Sequence, residues 1–348
     1  MLAATHCIPS AHNPETDKLN NSQIQIPSDV AYALRAVKGE ETVTVIDMDR
    51  DSIVGIQRTA VDDEIIFDMA IGPDGMLYLT MPMSDLDHTG ELIRVLDPGK
   101  GVIVRDIVVA FDPMQIYALP DGRAVIGHQQ DNCTFATTIL DMAARKVDTV
   151  LRLVPMLDNA LVSPAGESYL YYDPWTSSFP NGTMYRLDPQ VDTLCPVTVF
   201  GDTIGFGPVF GASDKLYSCY FSSVKVHEFP SGRFLNEIVT GMRPMALLAP
   251  GNGRVYAANN TGEAWQYGNY DSLSVIDVST DELVKTIQVC KGPQSMAYSK
   301  TLNKVYVAGC CGTTISVIDP DRDSVVKTIV SNQADVNTWG YDKIVVNH

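Results

Sequence analysis

A repeat constrains this chain more than any other feature. Residues 273–288 read Leu-Ser-Val-Ile-Asp-Val-Ser-Thr-Asp-Glu-Leu-Val-Lys-Thr-Ile-Gln, and residues 315–330 read Ile-Ser-Val-Ile-Asp-Pro-Asp-Arg-Asp-Ser-Val-Val-Lys-Thr-Ile-Val. A third copy, Val-Thr-Val-Ile-Asp-Met-Asp-Arg-Asp-Ser-Ile-Val-Gly-Ile-Gln, occupies 43–57, near the other end. Each copy alternates apolar and polar residues, crosses a polar turn and alternates again, which is the pattern of a β-hairpin. Recurrence along the chain makes a repeat architecture the first hypothesis to test.

The acid closing each such stretch counts the units. It occurs as Asp47, Asp97, Asp141, Asp188, Glu228, Asp277 and Asp319, at spacings of 40 to 50 residues. That is the period of four-stranded propeller blades rather than of helical solenoids. The chain is therefore expected to be all-β: a seven-bladed β-propeller over 28–348, preceded by an aperiodic N-terminal arm or linker at 1–27. The first unit lacks an inner strand, whereas Trp339-Gly340-Tyr341 and Lys343-Ile344-Val345-Val346 are spare strand sequence at the other end. Ring closure, with the C-terminal segment completing the first blade, accounts for both and protects the sheet edges.

Composition narrows the classes of function. A hydrophobic content of 45% supplies a core, and no run approaches the ~18 apolar residues of a membrane span. The formal charge of −17 argues against nucleic acid or an anionic membrane as partner, since both need a positive face. It suits a soluble protein outside the cytoplasm: secreted, periplasmic or on the cell surface. Seven cysteines are many for a cytosolic domain, and no C-x-x-C pair exists to form a zinc ribbon or thioredoxin-type motif. Asn20, Asn132, Asn181 and Asn259 each begin an N-x-S/T sequon. Residues 1–27 hold no apolar h-region, so no signal peptide is read there, and a processed secreted chain would look the same. Cys7 sits in a poor match to a lipoprotein box.

Within this frame, residues 291–329 carry a family resemblance. Lys-Gly-Pro-Gln-Ser-Met-Ala-Tyr-Ser, Asn-Lys-Val-Tyr-Val-Ala-Gly, Ser-Val-Ile-Asp and Val-Val-Lys-Thr-Ile follow one another there, and the pattern resembles the YVTN-type β-propeller repeat. Blades six and seven match closely, blade one partly, and blades two to five in outline. The resemblance implies an inner strand of each blade lining a central channel. It also implies that the connections from fourth to first and from second to third strand share one face, usually the binding face. Family members include surface-layer and periplasmic binding proteins, and related propellers serve as dehydrogenase subunits or lyases, so fold analogy does not choose a function.

Projected onto that frame, four second-to-third-strand connections are long: 80–91, 127–136, 171–184 and 258–271. They carry Asp85, Asp87 and His88; His128, Gln129 and Asn132; Tyr172, Trp175 and Phe179; and Trp265, Tyr267 and Tyr270. Long loops tend to be functional, and exposed aromatics suit a protein surface or a sugar ring. The competing reading is that these rings fold back over neighbouring blades. His88 and His128 are the one histidine pair placed to cooperate as a general acid or metal pair, although a solvent-exposed loop role is the plainer reading of each.

Aligning the inner strands sets Asp68, Gln115 and Asn159 at equivalent positions of three consecutive blades, with Asp158, Arg243, Gln294 and Ser295 near that level. Asp68 and Asn159 are candidate ligands for Ca²⁺, which takes carboxylate and amide oxygens; the alternative is an ordinary polar channel. Asp47-x-Asp49-x-Asp51 and Asp319-x-Asp321-x-Asp323 lack the glycine and glutamate of an EF-hand and read as turn acids. Cys310-Cys311, between Gly309 and Gly312, are open to three readings, a vicinal disulfide, free thiols, or separate disulfides to Cys290 or Cys219, ahead of a soft-metal site, for which no His lies nearby in sequence. No G-x-S-x-G, H-E-x-x-H, G-x-G-x-x-G or C-x-x-C-H motif occurs.

The expectation is a binding or scaffold propeller that engages a protein or glycan through its aromatic loops. One alternative is an enzyme or redox-enzyme subunit with a small-molecule or metal site at the channel mouth. Another is a structural subunit of a surface layer or filament, a homo-oligomer assembled through the N-terminal arm.

Overall fold

A computed structural model describes residues 22–36, 41–60, 64–82, 91–129, 135–152, 157–172, 182–188, 193–200, 205–241, 243–260, 271–331 and 341–347. Its strands form seven antiparallel sheets of four strands each, the expected seven-bladed propeller. Strands are lettered a to d from the axis outward. Blade 1 is Lys343–Val346, Val30–Arg35, Thr42–Asp47 and Ser52–Arg58. The others run in chain order, their inner strands being Met69–Ile71, Pro113–Ala118, Leu157–Val162, Phe206–Ala212, Pro244–Leu248 and Pro293–Ser299.

Blade 1 closes as the sequence predicted. Ala31 to Leu34 pair with Val346 to Lys343 in antiparallel register, and Asp342 Oδ2 accepts from Ala36 N at 2.8 Å. Just outside this blade, Ile24 N donates to Gly99 O of blade 2 at 2.8 Å, and the Ile24 side chain lies where a Cβ on Gly55 would stand. Ile24 and Ile26, in the last part of the segment read as an arm, pack on the core between blades 1 and 2.

The seven counted acids each end a third strand. In six blades the pairing of strands c and d slips by one residue just before that acid, and in blade 4 it slips further back, between Met184 and Tyr185. Such a bulge raises local twist, which splays the blades around an axis. Five of the acids, Asp47, Asp97, Asp141, Asp277 and Asp319, cap the turn that follows: Asp47 Oδ1 accepts from Arg50 N at 3.0 Å, Asp277 Oδ1 from Ser279 N at 2.8 Å and Asp319 Oδ1 from Asp321 N at 2.9 Å. This is the turn role read from the sequence.

The core lies between blades. Second and third strands are almost wholly buried, as in Val30–Arg35 and Thr42–Asp47, while outer strands such as Glu282–Gln288 face solvent. Each apolar cluster joins neighbours, for example Ala31, Ile46 and Ile344 of blade 1 with Tyr306, Val317 and Ile329 of blade 7. Among the described residues no helix is long and apolar enough to cross a membrane.

Candidate functional site

The inner strands of blades 3, 4, 6 and 7 begin with an irregularity, so two successive side chains oppose one residue of the neighbouring strand. In blade 2 Phe67 and Asp68 straddle Thr80 in the same way, with Phe67 N on Thr80 O at 3.1 Å and Thr80 N on Asp68 O at 3.0 Å. These bulges place Asp68, Gln115, Asn159 and Ser295 at one level, and the register of blade 1 adds Lys343 to it.

This ring of polar side chains fastens blades to one another. Asp68, 6% exposed, accepts from its neighbour Met69 N at 2.8 Å and from Ile116 N of blade 3 at 3.1 Å, and it pairs with Lys343 Nζ of blade 1 at 3.0 Å. Asn159 Nδ2 donates to Pro208 O at 2.9 Å, and Asp158 Oδ2 accepts from Gly207 N at 2.7 Å, joining blades 4 and 5. Tyr117 OH donates to Asp158 O at 2.6 Å, and burial holds that phenol well above its ordinary pKa. Gln294 Nε2 reaches Asp342 Oδ1 at 3.2 Å, and Ser295 Oγ accepts from Ile344 N at 3.0 Å. Gln115 is half-buried, its Oε1 standing 2.9 Å from where a Cβ on Gly127 would be. Arg243 is exposed on the connection between blades 5 and 6, where its main chain bonds Phe221 and Asn260.

A Ca²⁺ at Asp68 would therefore have to displace an ammonium and an amide already on its oxygens. Among the described residues no group of three or more His, Cys, Asp or Glu is placed to hold a metal. Beneath the ring the channel is apolar. An open pocket of about 760 Å³ lies there, a volume typical of small-molecule sites. Met69, Ile116, Ala160, Leu248, Met296 and Val345 line it, with Lys343 at one end and Pro73, Pro120 and Asn347 at the other.

Two expected loop residues lie in the core instead. His128 belongs to the second strand of blade 3, Arg123–Gln129, and is 1% exposed. Its Nδ1 lies 2.7 Å from Phe111 O and its Nε2 2.8 Å from Thr138 Oγ1. Burial lowers its pKa to about 4, so the ring is neutral and spent on structure. Tyr172 is also buried, packed edge-on to Tyr185 at 5.4 Å and bonded to Thr137 Oγ1 at 3.2 Å. In both cases the strand runs further than the loop boundary drawn from the sequence. His88, Trp175, Phe179, Trp265, Tyr267 and Tyr270, with Asp85, Asp87 and Asn132, lie outside the described residues. The four connections that contain them join strands b and c, and so leave their blades at one face. Of the sequons, Asn259 is fully buried and donates to Ser272 Oγ at 3.2 Å and Ser274 Oγ at 3.0 Å, so the folded chain does not present it for glycosylation.

On the opposite face an inter-blade clasp was not foreseen. Lys304 and Tyr306 of blade 7 both grip Asp51 of blade 1, each at 2.8 Å. Lys215 and Tyr217 of blade 5 hold Asp281 of blade 6, and Arg254 and Tyr256 of blade 6 hold Asp323 of blade 7. The three acids share a left-handed backbone, with φ of 46°, 54° and 48°, just before the outer strand. Burial and the adjoining carboxylate raise all three phenols far above their usual pKa and keep them as donors. The sequence signal was a basic-x-Tyr at the start of strand b, paired with an acid in the next blade's turn.

The comparisons with known proteins agree with this architecture and stop there. No protein-family model matches the chain, and no curated protein matches it. Among solved structures, a functionally unknown protein from Desulfotomaculum acetoxidans is similar with a TM-score of 0.67 at 14% identity, over 92% of this chain and 99% of that one. Apo AztD from Citrobacter koseri gives a TM-score of 0.54 at 13% identity, over 92% and 98% of the two chains. The dihydro-heme d1 dehydrogenase NirN, in complex with DHE, gives 0.58 at 11% identity, over 93% of this chain and 76% of that one. At such identities the likeness is one of fold alone.

Proposed function

We propose that this chain is an extracytoplasmic binding propeller of the YVTN-repeat type, which holds a protein or glycan partner on the face where strands b and c are joined. One observation carries the reading. Of the channel-mouth groups that would serve a catalytic site, Asp68, Asp158, Asn159 and Gln294 are engaged in bonds between blades, from Lys343–Asp68 round to Gln294–Asp342. That leaves a ring presenting four long connections, two of which contain Trp or Tyr. Aromatic side chains supply large contact area at little entropic cost. The extracytoplasmic placement is supported by the charge of −17 and by the repeat resemblance.

The test is pull-down and calorimetry against extracts of the source's own surface proteins and glycans. Trp175→Ala and Trp265→Ala are expected each to weaken binding at least tenfold, with thermal stability unchanged. Loss of binding in Asp68→Asn or Asn159→Ala, with the tryptophan variants unaffected, would move the site to the channel and overturn the reading. A partner lost only on deleting residues 1–27 would point to assembly through the arm.

A further inference from the structure

Adjacent cysteines occupy the turn between strands b and c of blade 7, after Lys304–Gly309 and before Thr314–Asp319. Their sulfurs are 2.8 Å apart. Cys310 is 8% exposed, and Cys311 is half-buried and the more accessible. The surroundings are shaped to the pair. A Cβ on Gly292, whose φ is 62°, would stand 2.8 Å from Cys310 Sγ and 2.9 Å from Cys311 Sγ. A Cβ on Gly309 would stand 2.1 Å from Lys291 O. Both glycines thus let the Lys291-Gly292 segment lie directly on the two sulfurs. Cys310 N donates to Gly292 O at 2.9 Å, and Asn260 Nδ2 reaches Cys310 Sγ at 3.5 Å. The other described cysteines are also thiols: Cys195 is exposed, Cys219 is buried in blade 5, and Cys290 Sγ donates to Val307 O at 3.3 Å.

We infer that Cys310 and Cys311 form a redox modification site, a dithiol that a low-molecular-weight disulfide converts reversibly to a vicinal disulfide. With glutathione disulfide, the Cys311 thiolate attacks one sulfur and releases one glutathione thiolate. Cys310 then attacks the Cys311 sulfur of the mixed disulfide and expels the second glutathione. One S–S bond forms in the protein as one breaks in the oxidant, and the two protein thiol protons end on two glutathione thiols. Burial and the neighbouring thiol push Cys311 up to about 12, so its thiolate is scarce at neutral pH and exchange quickens in alkali. Neighbouring Cα atoms are ~3.8 Å apart across a trans peptide, closer than the ~4.4–6.8 Å of ordinary disulfides. The closed form is consequently strained and easily reduced, which suits a reversible site rather than a structural staple.

The experiment uses the unmodified chain, reduced and then exposed to glutathione disulfide at mildly alkaline pH. Intact-mass measurement and differential alkylation of digests are the readouts. A monomer lighter by two hydrogens is expected, with Cys310 and Cys311 both protected from alkylation and both restored by dithiothreitol. The reduced chain is expected to take up one phenylarsine oxide with loss of water, and Cys311→Ser to lose that uptake while keeping its melting temperature. Cys290→Ala should change neither result. A lasting glutathione adduct on Cys311, protection shared with Cys195 or Cys290, or no arsenical uptake by the reduced chain would each overturn the proposal.

Discussion

Blades 7 and 3 sit in the same ring and are fastened by opposite chemistry. At the junction of blades 7 and 1, Tyr306 and Lys304 reach across to Asp51 in the left-handed position of the next turn. At the junction of blades 2 and 3, the left-handed position holds Arg145, with φ of 53°, and the acid has moved back to Asp74 of blade 2, 3.0 Å from Arg145 Nη2. The tyrosine remains: Tyr78 OH now donates to Met142 O. These two junctions therefore share a phenol and one charge pair across the gap, with the direction of the pair reversed. The same two blades differ once more, because the strand position that holds Gly309 in blade 7 holds buried His128 in blade 3.

The largest effect should come from forcing one junction to carry the other's residue. Asp51→Arg would set a guanidinium beside Lys304 and strip Tyr306 of its carboxylate acceptor, leaving Met48 O, at a cost of about 3–5 kcal/mol, read as a lowered urea midpoint. Transplanting the regular arrangement into the irregular junction is the converse test. Arg145→Asp alone should cost up to about 1 kcal/mol by facing Asp74, and adding Asp74→Lys should recover most of it in a double-mutant cycle. An additive result would break the comparison.

Acid should separate the two blades next. His128 has a pKa of about 4 in the fold, below the ~6.5 of an unfolded histidine. The unfolded chain therefore binds the proton first. Stability is lost as pH falls from about 6.5 to about 4 and levels off below that, with up to about 3 kcal/mol at stake. Hydrogen exchange should loosen in blade 3 before blade 7, and His128→Gln should remove that difference. The phenols make the last comparison. Tyr306→Phe, losing a bond to a carboxylate, should cost about 1.5–3 kcal/mol, and Tyr78→Phe, losing mainly one to a carbonyl, about 1 kcal/mol.

Much of the fold was legible because its signals are local. A strand announces itself by alternation, and the seven acids mark the ends of the third strands, five of them accepting from the backbone of the turn that follows. Blade count and ring closure follow from adding such units. The site was less legible because its meaning lies across blades. Asp68 and Asn159 were placed at one level correctly, yet nothing in their neighbourhood foretold that Lys343 and Pro208 O would engage them. His128 and Tyr172 were misplaced for a simpler reason: where a strand ends depends on the pairing partner, and period alone leaves that end open by a few residues. The clasp was visible only as two fragments, Lys304-Val305-Tyr306 and Asp51, far apart in sequence, which no local rule connects.

The seam in blade 1 gives the ring an uneven folding problem. In the other six blades, hairpin follows hairpin and each pairing closes a short loop. Tyr32 and Val345, by contrast, meet across almost the whole chain. Until they do, Val30–Arg35 is a bare edge strand, buried in the finished ring and open to any other strand before it. Slow closure of this one latch, rather than the formation of any blade, should set both the folding rate and the window in which the chain aggregates.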